Sequence, residues 1–446
     1  MAGSLKMRVT DWPRTHFSTS LYFLGSSECD QSGISFTQKN SHLFYRDEEG
    51  PQAIFNSPCI LQCFSLKKTI VQVVCGGMHS LALTSSGELW SWGCPDNGVL
   101  GYDGEAIEPR RVPIENVVVQ CSAGDTHSMA ITLSDADHRS VYFWGIFRVS
   151  TRQNGDGEMC EAKTTPEMIS AKDLQFNRPL KLASGFNHVV LLTQDNKLKR
   201  HVFSWGDCSG GKIGRIPSSR RRTQNALKIR ALGAKNVTNV WACGNHSFYQ
   251  FQTPASAKRS ARLGLCAWGL NNDGQLGLGH HKEVVAPCEV PTFEGVRVLE
   301  VCGGEFHTLI LTERQEVYSC GLNRDGQLGI SSDLESSADP MPVILPEAVA
   351  HIASGGHFNY AVTVSGEAYS WGTGDNYVLG TVHERSESRP VLVNPKLLNS
   401  EAVLCAVAGG QHGLFLTTDL HSQSSRPTKR GAADSAGSSA KRKKDL

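Results

Sequence analysis

Seven histidines recur behind glycine in this chain: His79 in CGGMH, His127 in SAGDTH, His188 in ASGFNH, His246 in ACGNH, His307 in CGGEFH, His357 in ASGGH and His412 in AGGQH. Imidazole changes charge near neutral pH and ligates metals, so seven of them could form a metal or acid–base set. They stand 48 to 61 residues apart, however, and no CxxC pair, phosphate loop or recognisable catalytic triad accompanies them. One histidine per repeat, at the same place in an alternating apolar run, is the mark of an architectural position. Chemistry specific to this protein is therefore expected in the loops that depart from the repeat.

Each histidine is followed by an apolar alternation and then by Trp-Gly or its equivalent, at Trp92, Trp144, Trp205, Trp268, Cys320 and Trp371. A turn ending in Leu-Gly often comes next, as in NNDGQLG (271–277), NRDGQLG (323–329) and DNYVLG (375–380). Period-two alternation between glycine-rich turns predicts strands, and a period of about fifty residues with four strands per unit predicts an all-β propeller. The tryptophans are expected to fill the space between blades. The last motif, AGGQHGLFLT, has no Trp-Gly strand after it, whereas SLYFLGSSECDQSG (20–33) carries Leu24-Gly25 at the repeat's internal spacing. Pairing the N-terminal strand with the C-terminal ones would close the ring and remove its open edges. The expectation is a seven-bladed propeller over 18–420, with an N-terminal extension (1–17), an irregular first blade (18–65) and a polar tail (421–446).

The chain of 446 residues has a formal net charge of +1. Seven Lys/Arg against two Asp in 421–446 give the tail a net +5, which leaves the remainder near −4. Fourteen scattered cysteines, several just before glycine in apolar runs, read as reduced, buried small residues. No signal peptide and no apolar run long enough for a bilayer is apparent, so a soluble intracellular protein without a membrane partner is expected. In the tail, Lys429-Arg430, ten small or polar residues and Lys441-Arg442-Lys443-Lys444 have the spacing of a bipartite nuclear localisation signal, which implies nuclear residence and an importin partner.

These repeats resemble the regulator of chromosome condensation family, nuclear propellers that act as guanine nucleotide exchange factors for the small GTPase Ran. The resemblance extends beyond the generic repeat: QCSAGDTHSMAIT followed by VYFWGIFR matches the family's second repeat, where a β-wedge replaces the Gly-Gln-Leu-Gly turn. ASGFNHVVLLT with GKIGR, and WGTGDNYVLGT, are similarly placed. The resemblance implies chromatin-associated exchange without covalent chemistry and without a cofactor, and it implies Ran contacts at Asp125, Phe147, Arg148, Asn187, Arg215, His307 and His412. Where the family carries an acidic residue, this chain has Asn187, which keeps an acceptor but loses the charge. It also implies that Arg220, Arg221 and Arg222, in RIPSSRRRTQNALKIR, grip the acidic patch of the nucleosome. Lys228, Arg230 and Lys235 would add contacts to DNA phosphates without sequence preference. The alternatives are a propeller that binds chromatin or another protein without exchange activity, and a ubiquitin-ligase accessory propeller, against which the wedge argues.

Overall fold

The computed structural model of the chain describes residues 19–26, 45–47, 50–52, 54–60, 69–104, 108–146, 148–150, 157–159, 161–175, 177–215, 227–228, 236–255, 260–331, 333–381 and 383–418. Among these, β-strands form seven four-stranded antiparallel sheets and two small hairpins. Blade 1 runs from Ile70–Cys75 to Arg110–Arg111, blade 2 from Val117–Ala123 to Lys163–Met168, and blade 3 from Arg178–Ser184 to Leu227–Lys228. Blade 4 runs from Asn236–Ala242 to Val284–Glu289, blade 5 from Val298–Cys302 to Ser336–Val343, and blade 6 from Val349–Ser354 to Glu387–Leu392. The seventh, closing blade joins Ala402–Ala408 and His412–Thr418 to Thr19–Ser26 and Ile54–Ile60.

The closure expected from the sequence is present as a register. Thr19 pairs with Thr418, Phe23 with Leu414 and Gly25 with His412, so the first described strand completes the blade begun by the last two. The second strand of every blade is buried along most of its length, as in His79–Thr84 and His307–Thr312. Both faces of such a strand meet a neighbouring blade, which is why its sequence is almost continuously apolar. The cores lie between blades: Leu81, Leu83 and Leu89 of blade 1 pack with Val118, Ala130 and Trp144 of blade 2. The tryptophans fill these seams as expected and also bond across them. Trp144 Nε1 donates to Val99 O at 2.7 Å and Trp371 Nε1 to Gln327 O at 3.0 Å, in each case reaching the preceding blade.

Antiparallel order places the turns between first and second strands on the same side of the ring as those between third and fourth strands. This side, here called the turn face, carries the Gly-His motifs and the Leu-Gly turns. Two blades carry an insertion there: in blade 2 a separate hairpin pairs Arg148–Ser150 with Gly157–Met159 between the third strand, Arg139–Gly145, and the outer strand, Lys163–Met168, and in the closing blade another pairs Tyr45–Asp47 with Gly50–Gln52 between Thr19–Ser26 and Ile54–Ile60.

Candidate functional site on the turn face

A belt of backbone hydrogen bonds runs through the glycine turns and returns to its start. Gly77 N donates to Gly124 O (3.2 Å), Asp125 N to Phe186 O (2.8 Å), Phe186 N to Gly244 O (2.9 Å) and Gly244 N to Gly304 O (3.1 Å). Glu305 N to Gly356 O (3.2 Å), Gly356 N to Gly409 O (3.3 Å) and Gly410 N to Gly77 O (3.1 Å) complete it. The close approach explains the glycines: a Cβ on Gly124 would stand 2.5 Å from Gly185 O, and one on Gly185 only 2.3 Å from Cys243 O.

Behind this belt lies a second, made of side chains. His79 Nε2 meets Ser128 Oγ of the next blade at 2.7 Å, and Ser128 Oγ donates to Val99 O at 2.9 Å. The serine's single proton is thus committed to the carbonyl, so the histidine must donate from Nε2. His188 meets Ser247 (2.7 Å), His246 meets Thr308, and His412 meets Ser80 across the closure (3.0 Å). His307 bonds Asn359 Oδ1 (2.7 Å), whose amide donates to Gln327 O (2.9 Å). Burial holds His79, His188 and His246 down to about 3, and His307 and His412 to about 4, so these rings are neutral donors at physiological pH. A histidine bonded to a serine resembles an activated nucleophile, but here the hydroxyl is buried and its proton points at a backbone carbonyl. The arrangement latches blades together, and no group of three potential metal ligands exists among the described residues.

Two sequence expectations change. His357 does not belong to the latch: the second strand of blade 6 begins one residue later, and Phe358 fills the histidine's place with 1 % exposure. Phe358 has no ring donor, and the next blade correspondingly has Gly413, where the blades that receive a latch histidine's bond have Ser, Thr or Asn. His357 instead sits at the turn tip, with Nε2 3.8 Å from Glu305. His307 and His412, expected to touch a partner, are 1 % and 0 % exposed because their rings are the latch itself. In those two turns Phe306 and Gln411 hold the tip position. The sequence motif drew attention to the repeated residue, whereas accessibility belongs to the variable one before it.

The other expected contacts sort clearly. Asp125 is exposed, its carboxylate stands over Gly77, and the ring behind it strips enough water to raise its carboxyl above the usual range. No ion-pair partner of Asp125 exists among the described residues. Asn187, on the adjoining turn of blade 3, accepts from Thr126 Oγ1 at 3.3 Å. Arg215 follows the third strand of blade 3 on the same face and donates to Ser204 O at 3.3 Å. The backbone of Arg148 opens the blade 2 hairpin. Asp125, Asn187, Arg215 and this hairpin are thus gathered on neighbouring blades 2 and 3. Phe147, Arg220, Arg221, Arg222, Arg230, Lys235 and the tail clusters at Lys429, Arg430, Lys441, Arg442, Lys443 and Lys444 lie outside the described residues, and Lys228 is described only as a strand position.

Sequence reasoning missed the pair Asp207–Lys212, joined at 2.7 Å with both side chains largely buried. Lys212 stands in GKIG where GQLG has glutamine, which was the available signal. Despite the desolvation that opposes it, Lys212 and Ser209 hold the Asp207 carboxyl below its usual range. Asp207 N donates to Asn187 O at 2.7 Å, so the ion pair supports the Asn187 turn from beneath.

The RCC1-like domain family matches residues 20–415. The human protein called Regulator of chromosome condensation is 30 % identical over 367 residues, covering 80 % of this chain and 84 % of its own. The Saccharomyces cerevisiae protein named Guanine nucleotide exchange factor SRM1 is 28 % identical, covering 77 % and 78 %. Among solved structures, Prp20p from Saccharomyces cerevisiae, described with its binding properties to Gsp1p and histones, superposes with a TM-score of 0.72 at 23 % identity, covering 95 % of this chain and 97 % of that one. With its closed ring of seven blades, its glycine-turn belt and a match to the family over most of its length, this chain belongs to the RCC1-like domain family.

Proposed function

We propose that the protein is a guanine nucleotide exchange factor for the GTPase Ran, working at chromatin in the nucleus and so supplying Ran-GTP for transport and mitosis. The observation that carries this reading is the hairpin Arg148–Ser150/Gly157–Met159, inserted into the turn face of blade 2 beside the exposed Asp125 and the Asn187 turn. A hairpin next to an anion with no ion-pair partner among the described residues offers a wedge and an anchor for a cationic surface. Exchange by such a device is differential binding: the propeller holds the nucleotide-free GTPase better than the loaded one, and each factor of ten in that preference corresponds to about 1.4 kcal/mol. The buried ion pair Asp207–Lys212 and the latch histidines keep the turns rigid, so that docking does not first require ordering them.

The relatives support the partners. Prp20p is described with Gsp1p and histones, and a further structure is that of Kap60 bound to yeast RCC1 (Prp20). By extension, Arg220, Arg221 and Arg222 would meet the nucleosome's acidic patch, with Lys228, Arg230 and Lys235 on DNA phosphates, and the tail clusters would engage importin.

Purified Ran loaded with a fluorescent guanine nucleotide tests the reading. Catalytic amounts of the protein should accelerate release, and deletion of 147–155 should abolish the acceleration while circular dichroism still reports folded β structure. Release at the intrinsic rate with the intact protein would reject exchange activity. A second reading, a propeller that docks without exchanging, is favoured by Asn187, whose amide offers a partner no charge; stable binding of Ran without faster release would establish it.

A further inference from the structure

Inside the ring, the innermost strands of blades 5, 6 and 7 are Val298–Cys302, Val349–Ser354 and Ala402–Ala408. His351, half-buried on the middle one, spans both seams: its Nδ1 lies 2.8 Å from Glu300 Oε2 and its Nε2 lies 2.7 Å from Ala406 O. A carbonyl oxygen only accepts, so Nε2 carries a proton. A carboxylate oxygen likewise only accepts, and Glu300 Oε2 also takes the backbone N–H of Ile352 at 3.2 Å, so Nδ1, facing the carboxylate, carries a proton too. An imidazole with two donors is an imidazolium. We infer that His351 is a proton-operated clamp, tying blade 6 to blades 5 and 7 while charged and releasing one of them on losing its proton.

Among the described residues, the titratable groups that face this site leave the pairing intact. From blade 5 comes Cys302, and from blade 7 Cys405; burial first and the Glu300 charge second push the Cys302 thiol well up and that of Cys405 to about 12, so neither competes as an anion. His307 of blade 5 reaches blade 6 through Ser354 Oγ (2.9 Å) but is a neutral ring held by Asn359. Glu300 is the carboxylate in the cluster among the described residues. This clamp opposes the latch in its response to pH: the latch histidines require neutral rings, whereas His351 requires a charged one. The two share the seam between blades 5 and 6 at different depths, so that seam is strongest in a window where the latch is neutral and the clamp still protonated.

The sign follows from linkage. Stability supplied by a paired imidazolium is complete below the free histidine range and is lost as pH rises through the folded group's own titration. Nitrogen NMR of the full chain labelled at histidine, with His351 identified by its loss in His351→Gln, should show both ring nitrogens protonated at pH 7. In Glu300→Gln it should show one. Amide hydrogen exchange across Ala402–Ala408, corrected for intrinsic rates, should be about tenfold slower in the native protein than in His351→Gln at pH 6, a ratio corresponding to one lost hydrogen bond. The ratio should shrink towards one by pH 9, and the latch histidines, common to both proteins, cancel from it. A ring with one proton at pH 7, or equal exchange at pH 6, would overturn the clamp.

Discussion

The seam between blades 1 and 2 and the seam between blade 6 and the closing blade solve one packing problem with opposite chemistry. In the first, His79 donates to Ser128, which donates to Val99 O, and the buried polar groups form a relay. In the second, Phe358 replaces the histidine, Gly413 replaces the hydroxyl residue, and Tyr360 stacks edge-on against Phe358 and Phe415 at 5.4 and 4.8 Å. A relay directs its blades through donor geometry, while an aromatic plug relies on shape. That both occur in one ring shows that the repeated histidine is dispensable as chemistry and needed only as a means of holding blades together. The residues open to partners are the ones the seams leave uncommitted, above all Asp125.

The largest test of this contrast is acid. Folded pKa values near 3 to 4 lie below the unfolded value, so the histidines' contribution is complete above about pH 6.5 and is lost as pH falls. At pH 5 each of His79, His188, His246, His307 and His412 costs the fold about 2 kcal/mol. Five together approach the whole stability of a typical domain, about 5–15 kcal/mol. Thermal melts should therefore collapse between pH 6.5 and 5.

A smaller but local effect is expected from Gly413→Ser, which writes the relay's residue into the plug. The new Cβ would fall 2.3 Å from Tyr360 Oη, a hydroxyl fixed by its bond to Val378 O. A loss of about 3 kcal/mol in chemical denaturation is expected, from overpacking a closed seam. An unchanged midpoint would show that the plug is soft. His188→Ala, which removes a relay and leaves Ser247 without its donor, should cost about 2 kcal/mol.

The smallest change in stability should come from Asp125→Asn. Because partial burial raises the carboxyl's pKa, the ionised form is disfavoured by the fold at neutral pH, and removing the charge should leave the melting temperature equal or slightly higher. Nucleotide release from Ran should slow nonetheless. Stability and exchange falling together would place Asp125 in the architecture with the histidines.

The Gly-His and Trp-Gly spacings by themselves determined the seven blades, the closure through Leu24-Gly25 and the burial of the tryptophans. These properties repeat, and period-two alternation encodes them locally in each segment. Sequence also marked Asp125 and the blade 2 insertion, since both break the pattern. It could not decide which member of each turn faces solvent: a one-residue offset separates His357 at the tip from Phe358 in the seam, in a turn that carries the same Gly-His motif as the others. Nor could it place His307 and His412 inside the latch, join Asp207 to Lys212, or set His351 between Glu300 and Ala406. Asp207 and Lys212 meet inside one blade, but the others depend on partners 51 to 332 residues away that only the ring brings within hydrogen-bond reach. A bond across a seam is made by two blades at once, and neither blade's sequence contains it alone.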